Sequence, residues 1–215
     1  MTYLELVNAV LVRMREDEVL TVQGSDDVVV SMVKEFVNDA KETVEQAHTW
    51  TGLSAEWTES TSDVSDKVVL TNSSVSVIID DVYLDNGVEL REVDKSYLRK
   101  RALQGSSAND PRYYIVDGLD SSNNVQLRLW PAPETVQSVY IHGYQSTARM
   151  SQDSDVLRVP AQPVIYLAQA MASRERGEDG SLQASELLGL AKQYLSDAIA
   201  QDATNSDAEN IWTQV

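Results

Sequence analysis

The sequence predicts an α+β fold: a discontinuous four-helix bundle-like domain from both chain ends, an inserted antiparallel β domain and an extended C-terminal tail. Three observations predict it. Apolar residues recur at helical spacing near both ends of the 215-residue chain. The middle is rich in Ser, Thr, Asp, Val and Tyr and carries period-two runs instead. The last residues are polar until a closing Ile211-Trp212-Thr213-Gln214-Val215. The expected limits are 1–52 with 160–203 for the helical domain, 53–159 for the β domain and 204–215 for the tail.

Thr2, with Glu5 three residues on, reads as a capping box. Leu4, Val7, Leu11 and Met14 follow on one face, so a first helix runs to about Arg15. Gly24-Ser25-Asp26-Asp27 is a turn and N-cap cluster. Behind it Val29, Val33, Phe36, Val37, Ala40, Val44 and Ala47 share a face, and Gly52 is the expected cap of a helix ending near Trp50. Val75–Ile79 and Val82–Leu84 read as one strand. Asp85-Asn86-Gly87 reads as a type I′ hairpin turn, returning through an alternating partner strand over 88–93. Ser96 to Leu103 is a short basic helix or turn. Residues 113–116 and 125–130 pair across a polar loop, and 139–144 supply another strand. Pro131 and Pro133 separate the last two. Pro163 suits a first helical turn, with Val164, Leu167, Ala168, Met171 and Ala172 on one face behind it. Gly177-Glu178-Asp179-Gly180 is a tight connection. Leu187, Leu190, Ala191, Tyr194, Leu195 and Ala198 form the face of a fourth helix that ends near Ala203.

Composition excludes several functions. There are 34 acidic against 17 basic residues, a net charge of -17, so free nucleic acid is repelled rather than attracted. Without cysteine there is no disulfide, thiolate nucleophile or Cys-ligated zinc. No apolar run is long enough to span a bilayer. The opening residues lack a basic n-region, so no signal peptide is expected there. Walker A, Gly-x-Gly-x-x-Gly, Gly-x-Ser-x-Gly and His-Glu-x-x-His patterns are absent from the sequence. Asp80-Asp81 is a candidate metal pair, but neighbouring strand residues point to opposite faces, which favours a solvated strand end. Residues 117–124 resemble a calcium loop yet lack its Gly and its closing Glu, so a hairpin loop is the better reading. His48 and His142 stand without an i±4 ligand and read as structural or surface residues. No catalytic residue, metal or cofactor is therefore expected.

Two features remain. Between Leu53 and Asp94 the charge is almost all acidic, and then Lys95, Arg99, Lys100 and Arg101 come together. This is either a solvated acidic face beside an ordinary basic helix or two complementary faces meeting in a ring of identical subunits. In the tail, Ile211, Trp212 and Val215 follow a polar stretch, and Trp favours interfaces. That points to docking onto a partner rather than to a frayed end.

A resemblance follows from three stretches. MTYLELVNAVLVRMREDEV, VVVSMVKEFVNDAKETVEQAHTW and VPAQPVIYLAQAMASRERGEDG resemble the head-to-tail adaptor proteins of short-tailed phages, the tail tubular protein A type. The β region is similar in character rather than in motif. The resemblance implies a virion protein, made in the host cytoplasm, that forms a dodecameric ring beneath the portal. It implies a β domain facing the tail nozzle, a C-terminal segment reaching the portal through Ile211, Trp212 and Val215, and a central channel for genome passage without specific DNA binding. Asp85, Asn86, Gly87, Lys95, Arg99, Lys100 and Arg101 are then nozzle-facing or subunit-interface candidates. The alternative, from another class, is a small acidic regulatory or binding module with no virion role.

Overall fold

The computed structural model describes residues 1–24, 27–63, 65–73, 76–104, 110–177 and 182–206. It is an α+β protein that divides into two units: Met1–Leu53 with the chain from Thr147 on, and Ser54–Ser146.

The first unit is helical. Helix α1 spans Tyr3–Arg13, and its capping box is complete. Glu5 N donates to Thr2 Oγ1 (3.3 Å), and Thr2 N donates to Glu5 Oε2 (2.8 Å). Helix α2 spans Val28–Gln46 and is capped by Asp27, whose carboxylate accepts from Val29 N and Val30 N. It ends earlier than the spacing predicts, and Ala47 is exposed. Gly52 is no helix cap. It lies in a 3-10 turn, Thr51–Leu53, where a Cβ would stand 2.4 Å from Arg158 O. Close backbone approach, not a left-handed cap, is what glycine provides here. Trp50 closes the end of α2 by burying its ring and donating Nε1–H to Val44 O at 2.7 Å.

The inserted unit begins with β1 (Ser54–Ser60) and β2 (Lys67–Val69), two strands that the sequence pattern does not announce. In β1 only Trp57 is buried, with Ala55 packed beside it among Ser, Thr and Glu. Strand β3 is Val77–Leu84, β4 is the two-residue Arg91–Glu92, and helix α3 is Lys95–Gln104. Strands β5 (Tyr113–Leu119), β6 (Val125–Trp130) and β7 (Ser138–Gln145) follow. One sheet has order β1-β7-β3 and the other β2-β6-β5-β4. All pairings are antiparallel except β4 with β5, so the second sheet is mixed. Trp57, Val82, Leu84, Val139 and Ile141 of one sheet share a core with Val68, Tyr114, Val125, Leu127 and Leu129 of the other.

The hairpin after β3 differs from its expected form. Neither Asp85 nor Asn86 has a positive φ, whereas Gly87 has φ 76°. Gly87 N donates to Leu84 O and Leu84 N to Val88 O, both at 2.9 Å. This is a three-residue loop with a left-handed glycine at its end, not a type I′ turn. The expected partner strand over 88–93 is also shorter. It touches β3 at Glu89 and Leu90, then crosses to pair with β5 as β4.

The chain rejoins the helical unit at Thr147, well before the expected boundary at 159. Met150, Leu157 and Val159 belong to the helical core. Buried Asn38 fixes the segment, accepting from Met150 N (2.8 Å) and donating to Met150 O (3.1 Å). Lys41 Nζ donates to Thr147 O (2.8 Å) and lies 3.3 Å from Glu45, and Thr147 Oγ1 donates to Glu45 at 2.6 Å. Helix α4 (Ala161–Arg176) ends at Gly177, left-handed at φ 67°. Helix α5 (Leu182–Ser206) runs past the expected end at Ala203. Residues 178–181 of the connection lie outside the described residues. The core joins Leu6, Val7, Val10 and Leu11 of α1, Val30, Val33, Val37 and Val44 of α2, and Val164, Ile165 and Ala168 of α4.

Candidate functional site

The basic cluster sits on α3, whose start is held by Asp94 O accepting from Tyr97 N and Leu98 N. Leu98 is buried and turns the cations outward. Lys95 folds back onto β5, with Nζ 3.2 Å from Asp117 O and 3.6 Å from its carboxylate. Arg101 stacks on Tyr97 and donates to its hydroxyl at 3.2 Å. Arg99 and Lys100 are exposed and make no ion pair among the described residues. So the cluster divides: Lys95 and Arg101 are engaged within the subunit, and Arg99 and Lys100 face solvent.

Asp117 is the anchor beneath this helix. Its carboxylate receives Arg128 Nη2 at 2.7 Å, with Lys67 Nζ at 3.5 Å and Lys95 Nζ at 3.6 Å. Burial alone would raise its pKa, but Arg128 and Lys67 outweigh that and hold it below the usual carboxylate range. The neighbouring loop is a hairpin turn organised by Asp120, which accepts from Ser122 N and Asn124 N at 2.8 Å each. Both carboxylates of this stretch are thus engaged by the protein itself. The other candidate loop, Asp85-Asn86-Gly87, is fully exposed at a hairpin tip.

Asp80 and Asp81 depart from the expected geometry. A β-bulge between Ile79 and Asp81 breaks the alternation of β3. Gly143 lies opposite on β7, where a Cβ would stand 2.3 Å from Ile78 O. The two carboxylates no longer diverge. Asp80, Asp81 and His142 each bring a ligand atom within 4.8 Å of one another. His142 Nδ1 lies 3.6 Å from Asp80, and Nε2 lies 3.0 Å from Ser54 Oγ. Two oxygens and an imidazole nitrogen form a donor set that suits a divalent cation, and these are the residues that could hold one. A bulge leaves no mark in composition or period, which is why the pattern missed this convergence. His48 is structural: it packs edge-on to Trp50 and pairs with Asp202 at 3.3 Å, tying the end of α2 to α5.

Helix α5 packs most of the face its spacing predicts, Leu187, Ala191, Leu195 and Ala198, but not all of it. Ala184, Leu187 and Ala191 are buried, while Leu190 and Tyr194 are exposed and Tyr166 stacks on Tyr194 at 4.9 Å. Leu182 and Leu188 are exposed as well, but Leu188 and Leu190 lie on opposite sides of the helix. Ile211, Trp212 and Val215 lie outside the described residues.

The family model described as SU10 adaptor protein matches residues 1–212, spanning both helical ends and the insertion. The chain belongs to the SU10 adaptor protein family. It is therefore a phage structural protein of the head-tail adaptor kind, a virion component associated with other virion proteins. No curated protein matches the chain. No helix among the described residues of this adaptor is long and apolar enough to cross a membrane.

Proposed function

We propose that this adaptor forms a ring, of twelve copies, between the portal and the tail nozzle, with a channel through which the genome passes. The family match across residues 1–212 carries the reading, because it includes the helices and the insertion together. The surfaces fit the role. Leu190 and Tyr194, one turn apart, expose apolar area on one side of a helix, as a subunit contact would. Arg99 and Lys100 are free to meet an acidic neighbour, and Asp85-Asn86-Gly87 offers a projecting tip to a nozzle or an adjacent subunit. The C-terminal segment, anchored by Ile211, Trp212 and Val215, docks onto the portal. The role is non-enzymatic, with no metal or cofactor required, and DNA slides through without specific contacts. A charge of -17 per copy makes the assembly repel phosphate rather than hold it.

The test is joining to portal-bearing heads. Purified protein mixed with such heads should attach as a ring whose subunit count is read from a reconstruction. Assembled rings should not retain duplex DNA at physiological salt. Protein that ignores the portal, or a lumen that captures DNA, refutes the proposal.

A further inference from the structure

Ile141 of β7 is buried, so its neighbour His142 lies on the other, solvent side of the β1-β7-β3 sheet. Asp81 is the cross-strand partner of His142, and the bulge after Ile79 sets Asp80 beside it. In a bulge two residues of one strand oppose one residue of the other, so both carboxylates face a single imidazole. Regular alternation would have sent one of them to the core face. Among the described residues this is the only group of three His, Cys, Asp or Glu side chains whose ligand atoms come within 4.8 Å of one another. No Lys or Arg forms an ion pair with Asp80 or Asp81 among the described residues. Glu56, opposite His142 on β1, adds a further negative charge to the same face.

The imidazole separates this group from an ordinary acidic patch. Its Nε2 lies 3.0 Å from Ser54 Oγ, and its Nδ1 lies 3.6 Å from Asp80 Oδ2. A neutral imidazole carries one N–H and one lone pair. With Nε2–H donating to the Ser54 hydroxyl, the lone pair sits on Nδ1 and faces the carboxylates. A histidine that binds a metal ordinarily has its other nitrogen held by an oxygen in this way. The spacing suits a small ion. Ligands about 2.0–2.1 Å from a tetrahedral zinc stand about 3.3–3.4 Å apart, close to the 3.6 Å between Nδ1 and Asp80. The Asp80 side chain is 53% exposed, so it is free to turn through the remaining gap. Calcium and magnesium favour shells made of oxygen alone. One nitrogen with two carboxylates suits a first-row dication such as zinc or cobalt.

We infer that Asp80, Asp81 and His142 bind one Zn²⁺ ion, with His142 Nδ1 as the nitrogen ligand and Ser54 orienting the ring. The ion clips β3 to β7, and through Ser54 the clasp reaches β1, the strand by which the chain enters the inserted unit. An ion held only by the folded sheet stabilises it by mass action. The ring reading does not require the ion, and the ion does not require the ring.

The experiment uses the ¹⁵N-labelled full chain, freed of metal with a chelator and titrated with zinc chloride. The chain has two histidines and no cysteine, so the imidazole signals number two sets and His48 is an internal control. The His142 set is assigned by its loss in His142→Gln. One equivalent of zinc should shift that set saturably, with the metal on Nδ1 and the proton kept on Nε2, and leave His48 in place. Asp80→Asn and Asp81→Asn, each with native circular dichroism, should weaken zinc binding by about ten-fold or more. Magnesium in hundred-fold excess should not displace the zinc. Equal shifts at both histidines, zinc on Nε2, unchanged affinity in both Asp variants, or displacement by magnesium overturns the site. All of these readouts use the free protein, so failure of the ring proposal would leave them intact.

Discussion

Asp117 joins strands β5, β6 and β2 and helix α3 through three cations, so its ionisation is linked to the stability of the inserted unit. Its folded pKa lies below the unfolded value. The linked stabilisation is therefore present above the ordinary carboxylate range and is lost as pH falls through the folded pKa. Asp117→Asn should cost about 1 kcal/mol near neutral pH, since surface pairings are modest. It should also flatten the acid limb of unfolding below about pH 4, followed by circular dichroism. Lys41 behaves differently because it is buried. Lys41→Ala strands Glu45 without its cation and should cost about 3–5 kcal/mol in thermal or urea unfolding. Lys41→Met combined with Glu45→Leu should recover much of that loss, because two charges are then removed rather than one orphaned.

At the scale of elements, legibility followed periodicity. The helices were legible because Val, Leu and Ala repeat on buried faces that span many turns, as at Val30, Val33, Val37 and Val44. Their ends were less so: Trp50 and Gly52 look like a helix end, yet they serve core packing and a close backbone approach. Strands β1 and β2 were hidden because one buried residue each, Trp57 or Val68, leaves no alternation to read. The Asp80–His142 convergence depends on a bulge, which leaves no mark in the period. On α5 the two faces make a contrast that can be measured. Leu187→Ala should cost about 2–4 kcal/mol in unfolding, because that side chain is packed. Leu190→Gln should stay within about 0.5 kcal/mol of the parent and still impair ring formation, read by native mass spectrometry or reconstruction.

For the whole molecule, the two units have separate cores, so damage to one should leave the other measurable. The C-terminal segment adds a further division. Helix α5 continues to Ser206, so the segment to remove is 207–215. Its deletion should preserve helix content and unfolding midpoint, yet abolish joining to portal-bearing heads. Trp212→Ala should weaken joining by about 2 kcal/mol or more per arm, the usual scale for a buried aromatic anchor. Unchanged joining would move the portal contact onto the helical unit.

The inserted unit leaves and returns through neighbouring strands. Ser54 on β1 is paired directly with Tyr144 on β7, so the entry and exit of some ninety residues stand about 5 Å apart. A gap that small can be closed by a couple of glycines. The helices thus see the insertion as a single stitch in their chain, whatever its length. Loops and strands beyond that stitch can be lengthened, shortened or exchanged between genomes without moving a helix. One scaffold could in that way be refitted to tails of different construction by recombination at two points in the gene.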